Sequence, residues 1–306
     1  MNNSIYDDVS IVICSYFSRN KLLRIISSID DKFNILIIDN AGEYDLKKII
    51  EEKFLNVEYF IPNYDLGLSG SYNYALYRLK KPYIFITQPD VFINSTTILG
   101  LYEAAKKYKN FGILSSVVEN KEKILDSDIR IIKFNNKNKI LYNTKNKSNI
   151  IYKKPQGDIC VDAVTCTTMF INRQTIKKIG GWDDNFFMYF EDMDLSIKVR
   201  INNLQIIKVA NSIVDHSGFS SHETQYNNIF EKKRNWHVSW SHIYFAKKYH
   251  SLINYYKIIF LLLVPNFFKM FFYLILANKR HKIYFYRMYG AISALIGLSS
   301  FYRKKY

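Results

Sequence analysis

The densest group of chemically active side chains is an acidic block around an aromatic run, WDDNFFMYFEDMDL, at residues 182–195. Its five carboxylates are Asp183, Asp184, Glu191, Asp192 and Asp194. The helix dipole favours acids in a first helical turn, which explains one or two of them. Large apolar residues precede Glu191, however, and a nonpolar wall raises the pKa of a carboxylate toward the range of a general base. The block therefore indicates proton abstraction, with helix capping as the alternative.

Two further residues are candidates for holding a divalent cation. Asp90, in the tripeptide QPD, follows the apolar run YIFIT at 83–87, and His216 follows the predicted strand 206–214. A carboxylate at a strand end can bind Mg²⁺ or Mn²⁺, whose coordination substrate phosphates often complete, and an imidazole can join it. Each residue also fits an ordinary role, Asp90 in a turn that caps the next helix and His216 as a surface or core histidine.

The run NYDLGLSGSYN at 63–73 follows a predicted strand and opens a predicted helix. Small residues there let the backbone approach a ligand closely, and free N–H groups at a helix start favour an anionic ligand. A turn whose glycines only permit tight packing is an equal alternative. The run contains neither GxGxxG nor GxxxxGK[ST], so it is not a Rossmann fingerprint or a P-loop.

Alternating strands and helices position these groups. The predicted strands are 10–14, 35–38, 57–61, 83–87, 162–171 and 206–214, and the predicted helices are 21–29, 69–79 and 96–108. This order is typical of an α/β protein with a parallel, doubly wound sheet, in which ligands bind at the carboxyl ends of the strands. Residues 119–154 are rich in Asn and Lys and predict an exposed hairpin or a mobile loop over the site.

Charge divides the chain into two parts. Residues 217–306 carry 14 Lys/Arg and two acids, a net charge of +12 out of +16 for the whole chain. A nearly neutral front and a strongly basic back imply that the back faces an anionic partner, either phospholipid headgroups or nucleic acid. The hydrophobic content of 48% excludes a disordered or fibrous chain.

An apolar segment, IIFLLLVPNFFKMFFYLIL at 258–276, lies within the basic part. A membrane span takes roughly 20 apolar residues, and Pro265 and Lys269 near the middle make a single span costly. Flanking basic residues and many aromatics favour helices that lie in the membrane interface. An inserted hairpin or span and an ordinary buried helix pair are the alternatives. The N-terminus does not predict a signal peptide, and three cysteines without a CxxC pair indicate a reducing compartment.

Taken together, these motifs resemble the bacterial glycosyltransferases of family 2, within the rhamnosyltransferase-like subgroup of surface-polysaccharide synthesis. The motifs are IVICSY at 11–16, IIDNAG at 37–42, NYDLGLSGSYNYAL at 63–76, QPDV at 88–91, GGWDDNFFMYFEDMDLSIKVR at 180–200 and DHSG at 215–218. The resemblance implies a GT-A fold, Rossmann-like with a mostly parallel sheet flanked by helices, over residues 1–220. Residues 221–306 would then form a helical, basic, membrane-associating extension.

The resemblance also implies an inverting transfer from a nucleotide-diphosphate sugar by direct displacement at the anomeric carbon. Asp192 would take the proton of the acceptor hydroxyl, with Glu191 and Trp182 near the acceptor. Asp90 and His216 would hold Mn²⁺ or Mg²⁺ against the two phosphates. The residues implied for the nucleotide-sugar pocket are Ser15, Tyr16, Asp39, Asn40, Asn63, Gly67, Gly70, Asn73 and Gln88.

One departure from the family pattern is the neutral Gln88, where many relatives carry an acid, although a leaving diphosphate still favours a nearby cation. The implied donor is a dTDP- or UDP-linked sugar, rhamnose first and galactofuranose or another hexose next. The implied acceptor is a polyprenyl-diphosphate-linked glycan at an anionic membrane surface, the cytoplasmic face of the inner membrane. A non-catalytic membrane scaffold and a nucleic-acid-binding protein are the other functions considered. Nucleic acid is disfavoured because the aromatics of the tail cluster with Leu, Ile and Val instead of alternating with basic residues.

Overall fold

The computed structural model describes residues 4–120, 123–124, 132–134, 140–143, 156–216 and 222–300. Its strands are β1 (Val9–Ser15), β2 (Asn34–Asp39), β3 (Val57–Phe60), β4 (Tyr83–Thr87), β5 (Phe111–Asn120), β6 (Lys123–Ile124), β7 (Ile132–Phe134), β8 (Ile140–Asn143), β9 (Ile159–Val161), β10 (Thr168–Asn172) and β11 (Gln205–Asp215). Its helices are α1 (Ile5–Asp8), α2 (Arg19–Ser28), α3 (Tyr44–Lys53), α4 (Gly67–Arg78), α5 (Ser95–Lys107), α6 (Arg173–Lys178), α7 (Glu191–Ile201), α8 (Asn227–Tyr249), α9 (Leu252–Ile275) and α10 (His281–Leu295).

A mixed sheet forms the centre of the described structure, in the order β3-β2-β1-β4-β10-β5-β11-β9, with β6 paired to β5. The strands β1 to β4 pair in parallel, and β11 pairs in parallel with β5. The strand β10 lies antiparallel between β4 and β5, and β9 closes the edge antiparallel to β11. The prediction of an α/β sheet flanked by helices is confirmed, with β10 and β9 as its main reversed strands.

Both faces of the sheet are buried, which explains why its strands are continuous apolar runs. Along β1, Ile11 and Ile13 belong to one hydrophobic cluster, whereas Val12 and Cys14 belong to the cluster on the other face. The helices α2, α3 and α5 contribute to the first cluster, and α4, α6 and α7 contribute to the second. The carboxyl ends of the strands are therefore the part of the sheet that is left open to a ligand.

The prediction of one strand over 162–171 is wrong. The strand β9 ends at Val161 and β10 begins at Thr168. These two strands occupy different positions in the sheet, since β9 pairs with β11 while β10 lies between β4 and β5. The chain therefore has to leave the sheet between them. Of the segment predicted as a hairpin or mobile loop at 119–154, β7 and β8 form an antiparallel pair, and most of the remainder lies outside the described residues.

Three helices follow the sheet. The helix α8 packs on α10, and Gly290 of α10 lies so close to Trp236 of α8 that a side-chain Cβ at position 290 would clash with the Trp236 carbonyl. Arg287 Nε donates a hydrogen bond to Asn235 Oδ1 at 2.8 Å across the same interface. The helix α9 is long and apolar enough to cross a membrane, and only 6% of its most apolar stretch is buried. Within the single chain, this exposure does not fit an ordinary buried helix pair, one of the three alternatives for 258–276.

Candidate functional site

A cavity of about 660 Å³ lies at the carboxyl ends of β1, β4 and β11. It brings together seven residues that the sequence predicted for the site, which are Ser15, Tyr16, Asn40, Gly67, Gln88, Asp90 and His216. These residues end or directly follow their strands or, in the case of Gly67, begin α4. The sheet topology therefore assembles in one place groups that are up to 201 positions apart in the sequence.

Asp90 and His216 are held side by side by main-chain pairing. Phe92 N donates a hydrogen bond to Asp215 O at 2.8 Å, and Asp215 N donates one to Phe92 O at 3.3 Å. This bridge places Asp90 Oδ2 3.3 Å from His216 Nε2. Asp90 is only 6% exposed, and its Oδ1 has no hydrogen-bond partner among the described residues. A buried carboxylate oxygen without a partner is costly, so the geometry favours a cation or donor bound at this point.

The donor set of this pair fits a divalent cation. A carboxylate oxygen and an imidazole nitrogen are both ligands that Mn²⁺ accepts. Among the described residues no cluster of three or more His, Cys, Asp or Glu side chains could hold a metal by itself. A cation at Asp90 and His216 would therefore need further ligands from a bound molecule, and phosphate oxygens meet that need.

The start of α4 forms another wall of the cavity and requires a glycine. Gly67 has φ +66°, and a Cβ at this position would clash with the carbonyl oxygen of Phe187. Leu68 N donates to the same carbonyl at 2.8 Å. Asn40 joins the two loops here, because its Oδ1 accepts from Leu66 N at 2.9 Å. The aromatic run of the acidic block is thereby fixed against the start of α4 and the loop before it.

The acidic block divides into two groups with different surroundings. Glu191 is 4% exposed, and burial together with the negative charge of Asp192 raises its pKa to about 8. Asp192 is half-buried in the first turn of α7. Neither carboxylate lines the cavity as the described residues define it; Phe187, Met188 and Tyr189 form that wall. The acceptor-side roles of Asp192, Glu191 and Trp182 therefore stay predictions.

Asp183 and Asp194 are occupied by ion pairs with α8. Asp194 is fully buried and accepts a hydrogen bond from Tyr249 Oη at 2.7 Å. Lys248 donates to Asp183 Oδ2 at 2.8 Å and also reaches Asp194. Lys198 Nζ also lies 3.4 Å from Asp194 Oδ2, so the two lysines together neutralise the two acids. Their function in the described structure is to join α7 and the start of the block to α8.

Two non-glycine residues with left-handed backbone conformations precede Glu191 and Asp192, the carboxylate pair at the start of α7. Tyr189 has φ +67° and Phe190 has φ +68°. Bulky side chains rarely adopt this conformation, and it costs of the order of 1–3 kcal/mol at each position. The two residues turn the chain sharply from the cavity wall into α7. Backbone strain of this kind is concentrated at functional sites.

Several residues predicted for the nucleotide pocket lie outside the cavity lining. Asp39 is fully buried, and its carboxylate accepts hydrogen bonds from Ala41 N at 2.9 Å and Glu43 N at 2.7 Å. Asn63 is exposed, and Gly70 lies inside α4. Asn73 is bonded to the backbone of Trp182, which is itself 2% exposed. For these positions the structure gives packing or capping contacts, and their roles toward a ligand stay predictions.

The prediction missed a whole wall of the cavity that α8 and the residues before it supply. The lining residues from this region are His222, Asn227, Asn228, Phe230, Glu231, Lys233 and Arg234. Lys233 is 6% exposed and donates to Tyr16 Oη at 2.7 Å and to Asp65 Oδ2 at 3.1 Å. The cavity therefore draws on residues from both sides of the predicted boundary at 220. The basic cluster at 232–234 was visible in the sequence, but it was counted with the charge of the membrane-associating part.

The comparison with known proteins agrees with this geometry. The family model described as glycosyl transferase family 2 matches residues 10–174. The low-salt glycan biosynthesis hexosyltransferase Agl10 of Haloferax volcanii is 23% identical over 72% of this chain and 73% of its own length. The rhamnosyltransferase WbbL of Escherichia coli is 24% identical over 78% of this chain and 93% of its own length.

Two solved structures share the fold at low identity. The mannosyltransferase PcManGT of Pyrobaculum calidifontis, in complex with GDP-Man and Mn²⁺, has a TM-score of 0.55 and 13% identity over 94% of this chain and 86% of its own. GalNAc-T7, with UDP, GalNAc and Mn²⁺, has a TM-score of 0.51 and 14% identity. The match covers 75% of this chain and 51% of that protein, so this chain spans about half of it. The architecture is the GT-A fold. Because the family model matches more than half of its length, the chain belongs to glycosyl transferase family 2.

Proposed function

We propose that this chain is an inverting glycosyltransferase that moves a sugar from a nucleotide-diphosphate donor to a lipid-linked glycan during surface-polysaccharide synthesis. A dTDP-linked rhamnose is the leading donor, which the name of the relative WbbL supports. A UDP-linked galactofuranose or another hexose is the alternative. The donor nucleotide would lie in the cavity of about 660 Å³ among Ser15, Tyr16, Asn40, Gly67 and Gln88.

The observation that carries this proposal is the pair of Asp90 and His216. A buried carboxylate oxygen without a partner beside an imidazole nitrogen, in a cavity at the strand ends, suits a cation that bridges protein and phosphate. Asp90 and His216 would hold Mn²⁺ or Mg²⁺. When bound, that ion supplies positive charge to the diphosphate that leaves. The titles of both similar structures name Mn²⁺ together with a nucleotide or nucleotide sugar, which supports the same cofactor here.

The acceptor side of the reaction would be served by the carboxylate pair at the start of α7. The acceptor hydroxyl gives its proton to Asp192 while its oxygen forms a bond to the anomeric carbon, and the bond from that carbon to the donor diphosphate breaks. With a pKa of about 8, Glu191 carries a proton at neutral pH. The pair then holds one negative charge in place of two, and Asp192 is the ionised member that can accept the proton of the acceptor hydroxyl.

Membrane association would bring the enzyme to its acceptor. Phe260, Phe268 and Phe272 are among the exposed apolar side chains of α9, and Phe285 is exposed on α10. Lys279 and Arg280 lie in the turn between the two helices, and Lys282 lies in the first turn of α10. Apolar side chains beside cations fit the interface of an anionic bilayer, such as the cytoplasmic face of a bacterial inner membrane.

The experiment that tests this function is a donor screen. The full chain is mixed with UDP, dTDP and GDP and with their sugars, with and without Mn²⁺, and the shift in melting temperature is measured. A bound ligand raises stability by mass action, so the correct nucleotide raises the melting temperature, and more so with Mn²⁺. No shift with any nucleotide at millimolar concentration would refute the proposed donor class.

A further inference from the structure

Arg234 is a cation at the wall of the cavity with no acidic partner among the described residues. It lies on α8, lines the cavity and is exposed. Among the described residues no ion pair joins its guanidinium to a carboxylate, including that of Glu231, one turn earlier on the same helix; the ion pair in this stretch of α8 is between Lys233 and Asp65. An arginine without an acid, at a surface that can hold a ligand, is available for an anion.

The neighbouring Lys233, unlike Arg234, is paired with an acid. Its ammonium is buried, lies 3.1 Å from Asp65 Oδ2 and donates to Tyr16 Oη at 2.7 Å. The charge of Lys233 is therefore balanced inside the protein, and its function is to fasten α8 to the loops after β1 and β3. Of the two adjacent basic residues, Arg234 is the one that leaves positive charge in the cavity.

Arg234 lies near two other residues of the cavity wall, Tyr189 and His222. Burial raises the pKa of Tyr189 to about 12, and the charge of Arg234 acts against that rise, so the guanidinium lies near the tyrosine. Burial lowers the pKa of His222, with smaller contributions from the charges of Lys21 and Arg234, and the His222 ring stacks on Phe230 at 3.9 Å between ring centroids. Because Lys233 is paired with Asp65, Arg234 is the basic residue of this wall that has no acidic partner among the described residues. Tyr189 stands two residues before the carboxylate pair of α7.

We propose that Arg234 binds a diphosphate in this cavity through the two parallel N–H groups of its guanidinium. This inference rests on the proposed function, because that function brings a diphosphate into the cavity. A planar guanidinium matches two phosphate oxygens and forms paired, charge-assisted hydrogen bonds with them. The diphosphate comes either from the nucleotide donor or from the prenyl carrier of the acceptor, and the chemistry of recognition is the same for both.

Calorimetric binding to the full chain tests the inference. The variants are Arg234→Ala and Arg234→Lys, and the matched control is Lys232→Ala, which removes the same charge two positions away on α8 and outside the cavity lining. The probes are UDP, dTDP and GDP, their monophosphates, and farnesyl diphosphate, which carries a prenyl diphosphate without a nucleoside. Melting temperatures of all variants are compared first, so that a loss of binding is not a loss of fold.

If the donor is the source, Arg234→Ala weakens binding of the preferred nucleoside diphosphate by about tenfold or more and affects the monophosphate less. If the acceptor is the source, the same loss appears with farnesyl diphosphate while nucleotide affinity is kept. In either case Arg234→Lys is intermediate and Lys232→Ala matches the wild type. If Arg234→Ala binds the preferred nucleoside diphosphate and farnesyl diphosphate as tightly as the wild type, this inference is overturned and the proposed function is unaffected. A wild-type chain that binds no nucleotide refutes the proposed function, and the inference falls with it.

Discussion

Asn73 of α4 holds the main chain of Trp182 through two hydrogen bonds of 2.9 Å. Asn73 Nδ2 donates to the Trp182 carbonyl, and Trp182 N donates to Asn73 Oδ1. Asn73 Nδ2 also donates to Asp184 Oδ1 at 2.6 Å. Gly181 has φ +59°, and a Cβ there would lie 2.5 Å from Asn73 Oδ1, so the close approach requires glycine. One side chain thus ties the start of the acidic block to the helix that borders the cavity.

The first prediction concerns the hydrogen bonds between Asn73 and the main chain of Trp182. Asn73→Ala leaves the buried main chain of Trp182 without partners and should lower the free energy of unfolding by roughly 2–3 kcal/mol. Urea denaturation measures the loss. Asn63→Ala is the control, because Asn63 was assigned to the same pocket but is exposed, and it should change stability by less than about 0.5 kcal/mol. Weaker donor binding by Asn73→Ala at unchanged stability would instead support the direct nucleotide contact that the sequence predicted.

The second prediction concerns the buried carboxyl of Glu191. Its pKa is raised from the ordinary value of 4.5 to about 8, so the folded chain holds this proton more tightly than the unfolded chain does. The unfolded state loses the proton near pH 4.5 and the folded state only near pH 8. The free energy of unfolding therefore falls as pH rises through this window and stays low above it. The shift corresponds to at most roughly 5 kcal/mol.

Glu191→Gln cannot ionise and should lack this fall. Its free energy of unfolding should be near that of the wild type at pH 5 and higher than that of the wild type at pH 8.5. Chemical denaturation at three pH values measures the difference, with Glu103→Gln on the exposed face of α5 as the control. Parallel curves for Glu191→Gln and the wild type would show that Glu191 is already ionised in the folded chain at neutral pH.

The sheet could be predicted because its strands are buried on both faces. A continuous apolar run bounded by polar residues has few alternatives, and the prediction at 83–87 coincides with β4. The helix α3 was not predicted, and the loop between β9 and β10 was taken for a strand. Its small and apolar residues are buried by packing beneath α7, with Val164 N donating to Ser196 Oγ at 3.4 Å. Burial without strand pairing gives the same local pattern as a strand.

The site was predictable where it depends on strand ends and unpredictable where it depends on a distant helix. Asp90 and His216 come together because two strands of one sheet end at the same edge. Nothing local to Lys233 or Arg234 indicates that α8 crosses that edge. Asp194 looked like a member of a catalytic group, but its partner Tyr249 lies 55 positions further along the chain. Spacing alone does not distinguish a catalytic carboxylate from one that long-range packing neutralises.

The third prediction concerns the proposed base. Asp192→Asn keeps the shape of the side chain and its capacity to accept the hydrogen bond from Met193 N at 2.7 Å, but it cannot accept a proton. The transfer rate should fall by roughly 10²–10⁴-fold, and donor affinity should stay within about twofold. The measurement is turnover with the preferred donor together with calorimetric donor binding. Asp184→Asn, an exposed acid of the same block, is the control. Turnover near normal in Asp192→Asn would remove this residue from the role of base.

The fourth prediction concerns the cation. Treatment with EDTA should weaken donor binding by the wild type, and added Mn²⁺ should restore it, if Asp90 and His216 hold the ion that the proposed function requires. Asp90→Asn should bind donor weakly and respond little to Mn²⁺. The control is Asp215→Asn, whose carboxylate is exposed and whose main chain still forms the bridge to Phe92. An undiminished Mn²⁺ response in Asp90→Asn would place the cation at other residues.

The fifth prediction concerns the exposed aromatic face of α9. Phe268 and Phe272 lie one turn apart and are 66% and 57% exposed. Burial of one phenylalanine side chain in an apolar phase contributes about 1.5–3 kcal/mol, and a carboxylate is repelled by anionic lipid. The double variant Phe268→Asp with Phe272→Asp should therefore lose at least about tenfold in affinity for vesicles that contain phosphatidylglycerol.

Sedimentation with these vesicles measures the loss, and Leu55→Asp, 96% exposed on the sheet domain, is the control that should bind like the wild type. The basic turn between α9 and α10 adds a second signature, because attraction between exposed charges weakens as salt is added. Binding should weaken as NaCl rises from 0.05 M to 0.5 M. On vesicles of neutral lipid, the wild type should still bind through its apolar face, whereas binding of the double variant should disappear. Equal binding of the double variant and the wild type would mean that the apolar face of α9 does not enter the bilayer.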